Sequence, residues 1–356
     1  MKLNKIQIKF LIIFIFLNKY IYIKFNKFNK RIGVIGLSHS QNVGNNLLKY
    51  AIYIKLSELG YHPFLVGKAC INHNISFLLK NTKVRLINEF SEIKENEFDI
   101  LIVNSDQTWN ALFPRPIIYD IAFLKFAEKW NKKKFIYGAS LVHDQWKFTK
   151  KDEKIAKQLL KNFSGISVRE KSSVDLIKKH LGLEAQFVLD PTMLINKKYY
   201  LNLINHYKSD IFTKLNNKKF IFAYILNNSE KIKNYLNSIK TKLSIKIFFL
   251  TMFHKNQIAE FLYGIINCKA VITDSFHGTI FSIIFKKPFV SFKMKNDDNR
   301  FNDLAEIFNV KDRIIYINST LPKLSLLNQP LFINDTKLTL LKKESINYLK
   351  KNLEYT

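Results

Sequence analysis

The sequence is poor in cysteine, which excludes two ways of stabilising a chain. Its 356 residues contain only Cys70 and Cys268, which lie far apart in apolar surroundings. Two isolated cysteines provide neither the paired spacing of a zinc site nor a disulfide framework. We therefore predict a cytoplasmic protein in which both cysteines are small core residues, and we expect no bound metal.

Arginine is also scarce, although the chain is strongly basic. The formal net charge is +29, and only six of the 57 basic residues are arginines: Arg31, Arg85, Arg115, Arg169, Arg300 and Arg313. A charge of this size is typical of proteins that bind nucleic acid or anionic membranes. Here the excess is lysine in a chain crowded with Asn, Ile and Phe, which indicates biased codon usage and a solvated lysine surface. Each arginine is therefore a candidate for a position that needs a planar, bidentate donor.

The most apolar run of the sequence is too short to span a membrane. It covers residues 10–17, and Lys19 and Lys24 interrupt its continuation, whereas a spanning helix needs about 20 apolar residues. No small-residue cleavage site follows it, so a secretory signal peptide is not indicated. Residues 1–29 are predicted either to contact the inner face of the cytoplasmic membrane peripherally or to pack as a helix on the protein body.

The rest of the chain alternates strand patterns with helix patterns. Residues 31–37 form a buried apolar run, residues 47–59 carry an apolar stripe with helical spacing, and residues 61–66 begin the next strand. This unit is typical of a doubly wound sheet, but it lacks the complete G-x-G-x-x-G fingerprint, so a dinucleotide site is not indicated. Residues 75–87 and 90–96 are predicted to be a helix and a connector. A second strand–helix series begins at residue 219.

A chain of this length is expected to form two domains. We predict an α/β fold of two Rossmann-like domains that face a cleft. The first domain covers residues 31–205 and the second covers residues 206–333. Residues 334–356 are predicted to form a C-terminal helix that crosses back over the first domain, and residues 1–30 form a basic, apolar extension.

Polar turns follow several of the predicted strands, where α/β proteins build their sites. In the first half they cover residues 38–46, 104–110, 138–140 and 169–170, and in the second half residues 274–279. Clefts between domains are preferred ligand sites, so we predict that these turns converge on one cleft.

Residues 270–288 are the most informative of these stretches. A buried run rich in β-branched residues leads into an apolar helix through a polar turn that contains Ser275, His277 and Thr279. The first turn of such a helix presents free backbone N–H groups and a positive dipole end, which favour an anion such as phosphate. His277 can exchange a proton near neutral pH, although a lone histidine beside a helix start also suits a purely structural role.

Three charged residues at strand ends have both a functional and a structural interpretation. Arg169 can anchor a phosphate or carboxylate, or it can pair with its neighbour Glu170. Asp106 can act as a base or orient a sugar hydroxyl, or it can cap a turn. Asp190, which precedes Pro191, is predicted to shape a turn.

Three uncharged residues are candidates for binding a sugar. Trp109 can stack on a sugar ring, or it can belong to the core. Asn42 and Asn45 can hold sugar hydroxyls, or they can form the turn in which they lie.

Together these motifs resemble the polysaccharide pyruvyl transferase family. They follow the family's order from about residue 31 to about residue 313, and one departure is Asn104, where a Gly commonly precedes the Ser. The matching stretches are Asn42-Val-Gly-Asn45, Ser105-Asp-Gln-Thr-Trp-Asn110, Tyr137-Gly-Ala-Ser140, Val168-Arg-Glu-Lys171, Leu189-Asp-Pro-Thr192 and Thr273-Asp-Ser-Phe-His-Gly-Thr279.

The resemblance implies a fold similar to GT-B glycosyltransferases. It also implies a transferase that moves a pyruvyl group from phosphoenolpyruvate to a sugar, as a ketal, without a metal or cofactor. The implied acceptor is a capsule, lipopolysaccharide or other surface glycan, or its lipid-linked precursor.

The resemblance also implies roles for individual residues. The catalytic group is His277 as acid or phosphate ligand, Arg169 as donor clamp and Asp106 as candidate base on the acceptor hydroxyl. The donor-binding residues are Arg169, Ser275, His277, Gly278 and Thr279, and the acceptor-binding residues are Asn42, Asn45, Ser105, Gln107 and Trp109.

Two other functions remain open on the sequence. The same fold can carry a glycosyltransferase that uses a nucleotide sugar as its donor. A basic protein without enzymatic activity can bind an anionic membrane or nucleic acid by charge alone. The chain contains no nucleic-acid-binding motif, so we expect no nucleic-acid partner.

Overall fold

The structure is a computed structural model, and it describes residues 30–36, 42–68, 73–104, 106–205, 209–250 and 257–354. The predictions made for residues 1–29, for Cys70 and for Ser105 lie outside the described residues.

The first half of the chain builds a parallel sheet of seven described strands. They are β1 Arg31–Ile35, β2 His62–Lys68, β3 Val84–Ile87, β4 Ile100–Val103, β5 Lys133–Ala139, β6 Gly165–Val168 and β7 Gln186–Phe187. Their order across the sheet is β3-β2-β1-β4-β5-β6-β7, and every neighbouring pair is parallel. All four residues of β4 are apolar and buried, as expected for a central parallel strand covered on both faces.

The second half builds a smaller parallel sheet of five described strands. They are β8 Phe220–Tyr224, β9 Lys246–Leu250, β10 Ala270–Thr273, β11 Phe289–Lys293 and β12 Ile314–Tyr316. Their order is β12-β11-β10-β8-β9, which makes β10 the central strand. The polar turn of residues 274–279 therefore begins in the middle of this sheet, at the carboxyl end of β10.

Helices connect the strands in both halves. They are α1 Val43–Glu58, α2 His73–Asn81, α3 Lys150–Leu160, α4 Lys171–Leu181, α5 Lys197–Asn205, α6 Asp210–Leu215, α7 Glu230–Leu243, α8 Gln257–Asn267, α9 Phe276–Ile284, α10 Asn299–Ile307 and α11 Asp335–Leu353. Shorter helical turns cover Phe90–Glu92, Glu95–Glu97, Arg115–Ile117, Ile118–Ala122, Lys125–Ala127, Pro191–Met193, Lys311–Arg313 and Leu324–Leu327. Among the helices of the described ranges, none combines the length and the apolar content needed to cross a bilayer.

Local sequence signals account for several helix ends. The side chain of Asn42 caps α1 by accepting a hydrogen bond from the Asn45 N–H. Thr149 and Asp152 form a capping box at the start of α3. Gly182 ends α4 with a φ of 65°, a left-handed conformation that glycine adopts without strain.

Apolar packing joins the two halves of the chain. One buried cluster includes Ile32 and Leu47 of the first half and Phe222 of the second. The last helix, α11, returns to the first sheet, where the Tyr348 hydroxyl donates to the carbonyl of Ile136 over 2.8 Å. The Leu189 N–H donates to the Ser345 hydroxyl of the same helix over 2.9 Å.

Two local predictions were wrong. The prediction of a helix and a connector over residues 75–87 and 90–96 missed strand β3. The first three residues of β3 are only partly buried at the edge of the sheet, so they lack a buried-strand pattern. The turn predicted at residues 138–140 begins inside β5 instead. Gly138, with a φ of 65°, lies where the pairing register with β6 shifts, so the strand continues through an irregularity rather than ending.

Candidate active site

A cavity of about 240 Å³ has walls that come from both halves of the chain. The first half contributes Asn42, Asp106, Gln107, Asn110, Leu112, Val142 and His143, and the second half contributes Leu226, Asn227, Asp274, Ser275, Phe276, His277, Met294, Lys295, Asp298, Arg300 and Phe301. The cavity therefore brings together the polar turns that follow β4 and β10.

The start of α9 forms one wall of this cavity. Ser275 caps the helix, and its hydroxyl accepts a hydrogen bond from the Gly278 N–H over 3.3 Å. The Ser275 N–H donates to the Thr273 hydroxyl, which in turn donates to the carbonyl of Tyr224 in β8. A Cβ at position 278 would lie 2.3 Å from the Thr273 hydroxyl oxygen, so the tight elbow requires glycine there.

Asp274 holds a neighbouring loop in place. Its carboxylate accepts hydrogen bonds from the backbone N–H groups of Leu226 and Asn227, at 2.7 and 2.8 Å, and from the Asn227 side chain at 2.9 Å. Burial raises the pKa of Asp274, and these donors act against that rise. The carboxylate therefore ties the turn after β10 to the turn after β8.

His277 lies in the first turn of α9, buried but on the cavity wall. Its Nε2 atom is 3.7 Å from an oxygen of Asp190, which belongs to the first half of the chain. The backbone of Gly44 packs against the other side of the ring, since a Cβ there would lie 2.2 Å from Nδ1 of His277. The ring orientation is thus determined by residues from the opposite domain.

Asp190 was predicted to shape a turn, and the structure gives it further contacts. Its carboxylate accepts hydrogen bonds from Thr192 and from Arg169, the latter over 2.6 Å. Burial favours the neutral acid, but His277 and Arg169 outweigh burial and hold the pKa of Asp190 well below its usual range. Asp190 is therefore a buried anion between a histidine and an arginine.

Arg169 lies behind the cavity wall rather than on it. Its side chain is 1% exposed and contacts three carboxylates: those of Asp106 and Asp190 through its terminal nitrogens, and that of Glu170 with Nε 3.6 Å from the nearest oxygen. The role of Arg169 as a donor clamp stays a prediction, and this placement favours a positioning role instead. A buried guanidinium with three carboxylate neighbours instead positions those neighbours.

Asp106 lines the cavity and contacts two arginines. It pairs with Arg169, and its Oδ1 atom is 3.8 Å from Nη1 of Arg300. Burial acts to raise the pKa of Asp106, but Arg169, His277 and Arg300 lower it overall. A carboxylate with a lowered pKa is a weak base, which counts against the predicted role of Asp106 as a general base.

Glu170 has the opposite electrostatic balance. Burial raises the pKa of Glu170 to about 7, although Arg169 acts in the other direction. Its carboxylate accepts a hydrogen bond from the Leu141 N–H over 3.2 Å and contacts the Ser173 hydroxyl. Glu170 therefore holds the segment that leads from β5 to the cavity residue Val142.

The chain belongs to a known family by its sequence. Residues 42–296 match the model for polysaccharide pyruvyl transferase, which covers most of the chain and all of the cavity residues except Asp298, Arg300 and Phe301. The chain is a member of the polysaccharide pyruvyl transferase family. The protein is accordingly a transferase, and no curated protein sequence matches it significantly.

Solved structures show which fold this transferase has. S. aureus MnaA with UDP has a TM-score of 0.52 at 13% identity, covering 91% of this chain and 90% of that one. Arabidopsis thaliana UGT89C1 with UDP-L-rhamnose has a TM-score of 0.53 at 8% identity, with coverages of 91% and 97%. Anabaena Alr3699/HepE with UDP and glucose has a TM-score of 0.51 at 11% identity, with coverages of 92% and 96%. These similarities confirm a GT-B-like α/β fold of two Rossmann-like domains.

Three further residues that were predicted to belong to the site of this pyruvyl transferase are buried and do not line the cavity. Trp109 is 1% exposed and packs edge-on against Phe123 in the core, so it offers no face to a sugar. Thr279 is fully buried, and its hydroxyl is bonded to the Ser275 carbonyl and to Ser291. Gly278 likewise serves the helix cap.

The predicted acceptor residues are divided between the cavity and the protein interior. Asn42 and Gln107 line the cavity. Asn45 is buried, and its backbone N–H serves the cap of α1 rather than a ligand. Within the described ranges, no group of three or more His, Cys, Asp or Glu side chains is arranged to hold a metal ion.

Sequence reasoning missed Arg300 as a cavity residue. The only signal was the scarcity of arginine, because Arg300 belongs to none of the quoted motifs. Its guanidinium lies over the Phe276 ring, 5.3 Å from the centroid, and Arg169 is 4.8 Å from the same centroid. Phe276 therefore contacts one arginine from each domain.

A second missed feature joins the domains beside the cavity. The Asn299 N–H donates to the carbonyl of Val142 over 2.9 Å, and Nδ1 of His143 is 3.0 Å from a carboxylate oxygen of Asp297. Val142 has a φ of 73°, which is strained for a β-branched residue. Such contacts leave no local sequence signal.

Proposed function

We propose that this transferase moves a pyruvyl group from phosphoenolpyruvate to two hydroxyls of a sugar in a surface glycan, such as capsule or lipopolysaccharide, or in its lipid-linked precursor. Membership of the family supports this reaction. The observation that carries the proposal is that His277 and the start of α9 share one cavity with Asn42 and Gln107 of the other domain. One wall thus offers groups suited to an anion, and the other offers amides suited to sugar hydroxyls.

The proposed chemistry needs an acid and fixed charges. The acid protonates the methylene carbon of the donor while the oxygen of a sugar hydroxyl bonds to the adjacent carbon and loses its proton. A second hydroxyl then bonds to that carbon as the C–O bond to phosphate breaks, and its proton leaves with the phosphate. Fixed charges and dipoles stabilise the cationic or tetrahedral species on this path.

Two roles of His277, proton donor and phosphate ligand, predict different kinetics. Glutamine at this position can still donate a hydrogen bond but cannot transfer a proton. If His277 is the acid, we expect His277→Gln and His277→Ala to lower kcat equally. If it is a ligand, we expect His277→Ala to raise the KM for phosphoenolpyruvate and His277→Gln to raise it less.

The reaction is tested with purified enzyme, phosphoenolpyruvate and a glycan acceptor. We expect inorganic phosphate to be released while the acceptor gains the elements of pyruvic acid less one water, as measured by mass spectrometry. His180→Ala is a matched control, because His180 stacks on Trp146 and neither residue lines the cavity. Full activity of His277→Ala would contradict the assignment of this cavity as the active site.

The competing donor is a nucleotide sugar, since the solved structures above contain UDP or UDP-L-rhamnose. A thermal-shift panel separates the two donors. We expect phosphoenolpyruvate to raise the melting temperature and UDP-sugars to leave it unchanged. The reverse result would identify a glycosyltransferase.

We propose that neither metal nor cofactor takes part, because the groups required by the chemistry are protein side chains and backbone dipoles. Enzyme dialysed against a chelator is then expected to keep its full rate of phosphate release. A rate restored only by added divalent cation would refute this.

We further propose that the enzyme works at the cytoplasmic face of the membrane and that residues 1–29 contact the bilayer. The support is the apolar run of residues 10–17 between lysines. Sedimentation with anionic vesicles tests this proposal. Equal binding of the full chain and of a chain lacking residues 1–29 would contradict it.

A further inference from the structure

Arg300 lines the cavity, and one of its guanidinium nitrogens has no hydrogen-bond partner among the described residues. Its Nε and Nη2 atoms donate to the two carboxylate oxygens of Asp298, over 3.0 and 2.7 Å. The remaining nitrogen, Nη1, is 3.8 Å from Asp106, which is too long for a hydrogen bond. The side chain is 11% exposed and lines the cavity, so water solvates this nitrogen only partly.

The guanidinium of Arg300 is held in a defined orientation. Asp298, which accepts both side-chain hydrogen bonds from Arg300, also caps α10 by accepting a hydrogen bond from the backbone N–H of Arg300. The Phe276 ring supports one face of the guanidinium, 5.3 Å from its central carbon. A charged donor fixed in this way needs no reorganisation when it meets a ligand oxygen.

The carboxylates on the cavity wall already interact with other groups of the protein. Asp298 accepts two hydrogen bonds from Arg300, Asp106 pairs with Arg169, and Asp274 accepts hydrogen bonds from the loop after β8. None of them is within hydrogen-bond distance of Nη1 of Arg300. The nearly buried nitrogen is therefore complementary to an oxyanion supplied from outside the protein.

We propose that Nη1 of Arg300 binds an anionic group of the donor and that Arg169 acts only as a positioning residue for Asp106 and Asp190. The identity of the donor rests on the proposed function. Phosphoenolpyruvate carries a phosphate and a carboxylate, and the start of α9 lies in the same cavity to receive the second of these groups. Arg300 thereby gives the second domain both anion-binding positions.

Arg300→Gln removes the positive charge, whereas Arg300→Lys keeps the charge but removes the planar, bidentate guanidinium. Binding of phosphoenolpyruvate to the full chain is measured by calorimetry, and KM and kcat by phosphate release. We expect Arg300→Gln to weaken binding and raise KM by about 10- to 100-fold, since a charged hydrogen bond is lost. We expect the affinity and the KM of Arg300→Lys for phosphoenolpyruvate to lie between those of Arg300→Gln and the wild type.

A matched control separates this effect from loss of an ion pair in general. Arg85 pairs with Glu97 over 2.7 Å and is not among the cavity residues. Arg85→Gln is expected to bind phosphoenolpyruvate as the wild type does. Competition with inorganic phosphate and with pyruvate identifies the group that Arg300 holds, because Arg300→Gln is expected to lose affinity for one probe more than for the other.

The outcomes distinguish the two proposals. If the wild type binds no phosphoenolpyruvate, the proposed donor is wrong. If the wild type binds it and Arg300→Gln binds it equally well, only the role of Arg300 is wrong. If Arg85→Gln and Arg300→Gln bind inorganic phosphate and pyruvate equally weakly, the role of Arg300 is also wrong, because the effect would then be a general one on the fold.

Discussion

Nε2 of His277 lies 3.7 Å from Oδ2 of Asp190, although the two residues follow strands of different sheets. Asp190 comes after β7, and His277 lies in the first turn of α9 after β10. The same carboxylate accepts a hydrogen bond from Arg169 over 2.6 Å. One buried anion thus connects the histidine of the second domain with the arginine of the first, and four predictions test the surrounding arrangement.

Asp190→Asn is expected to destabilise the protein. The substitution leaves the buried guanidinium of Arg169 with one anionic partner fewer, and breaking a buried ion pair costs about 3–5 kcal/mol. Chemical denaturation should show this loss in the free energy of unfolding. Asp335→Asn is the control. The Asp335 carboxylate pairs with Lys286 but its side chain is 67% exposed, so removing its charge should leave the unfolding midpoint nearly unchanged. Equal effects of the two substitutions would contradict a buried anion at position 190.

Gly44→Ala is expected to reduce activity through His277. The added Cβ would lie 2.2 Å from Nδ1 of His277, so the ring must move. We expect kcat/KM to fall by about 10-fold or more, because small displacements of a reacting group are costly. Gly264→Ala is the control, since its Cβ would lie 2.5 Å from the Phe222 ring in the core. Both variants should melt earlier, but only Gly44→Ala should lose activity where both remain folded.

Glu170→Gln is expected to change the pH dependence of stability. The pKa of Glu170 is about 7 in the folded protein against an ordinary value of 4.5, so between these values the folded state binds more protons than the unfolded state. Stability contributed by this group is therefore present at low pH and is lost as pH rises from about 4.5 through 7, by about 3 kcal/mol. Urea unfolding at pH 5 to 8 should show a shallower decline for Glu170→Gln. Parallel curves for the two proteins would refute the raised pKa.

Trp109→Phe is expected to affect stability but not acceptor binding. The smaller ring leaves a void beside Phe123 in the core, which costs on the order of 2 kcal/mol. The KM for the acceptor should stay at the wild-type value because the indole does not line the cavity. A raised acceptor KM with unchanged stability would instead support stacking on the sugar.

Much of the architecture could be predicted because its signals are local. Apolar runs such as residues 100–103 and 270–273 follow from the burial of parallel strands on both faces. Caps such as Asn42 and Ser275 act within three residues of themselves. The order of these elements therefore predicts an α/β fold with polar turns at the carboxyl ends of the strands.

The composition of the cavity was decided by the tertiary structure. Arg169 and Arg300 are equally marked in the sequence, as rare arginines. Packing nevertheless buries Arg169 among three carboxylates and places Arg300 on the cavity wall. Trp109 and Thr279 stand in motifs beside Asp106 and Ser275, but they point into the core. Which face of a turn meets the cavity depends on how two sheets pack against each other. That packing is set by contacts such as the one between His277 and Asp190, which are distant in sequence and leave no local pattern.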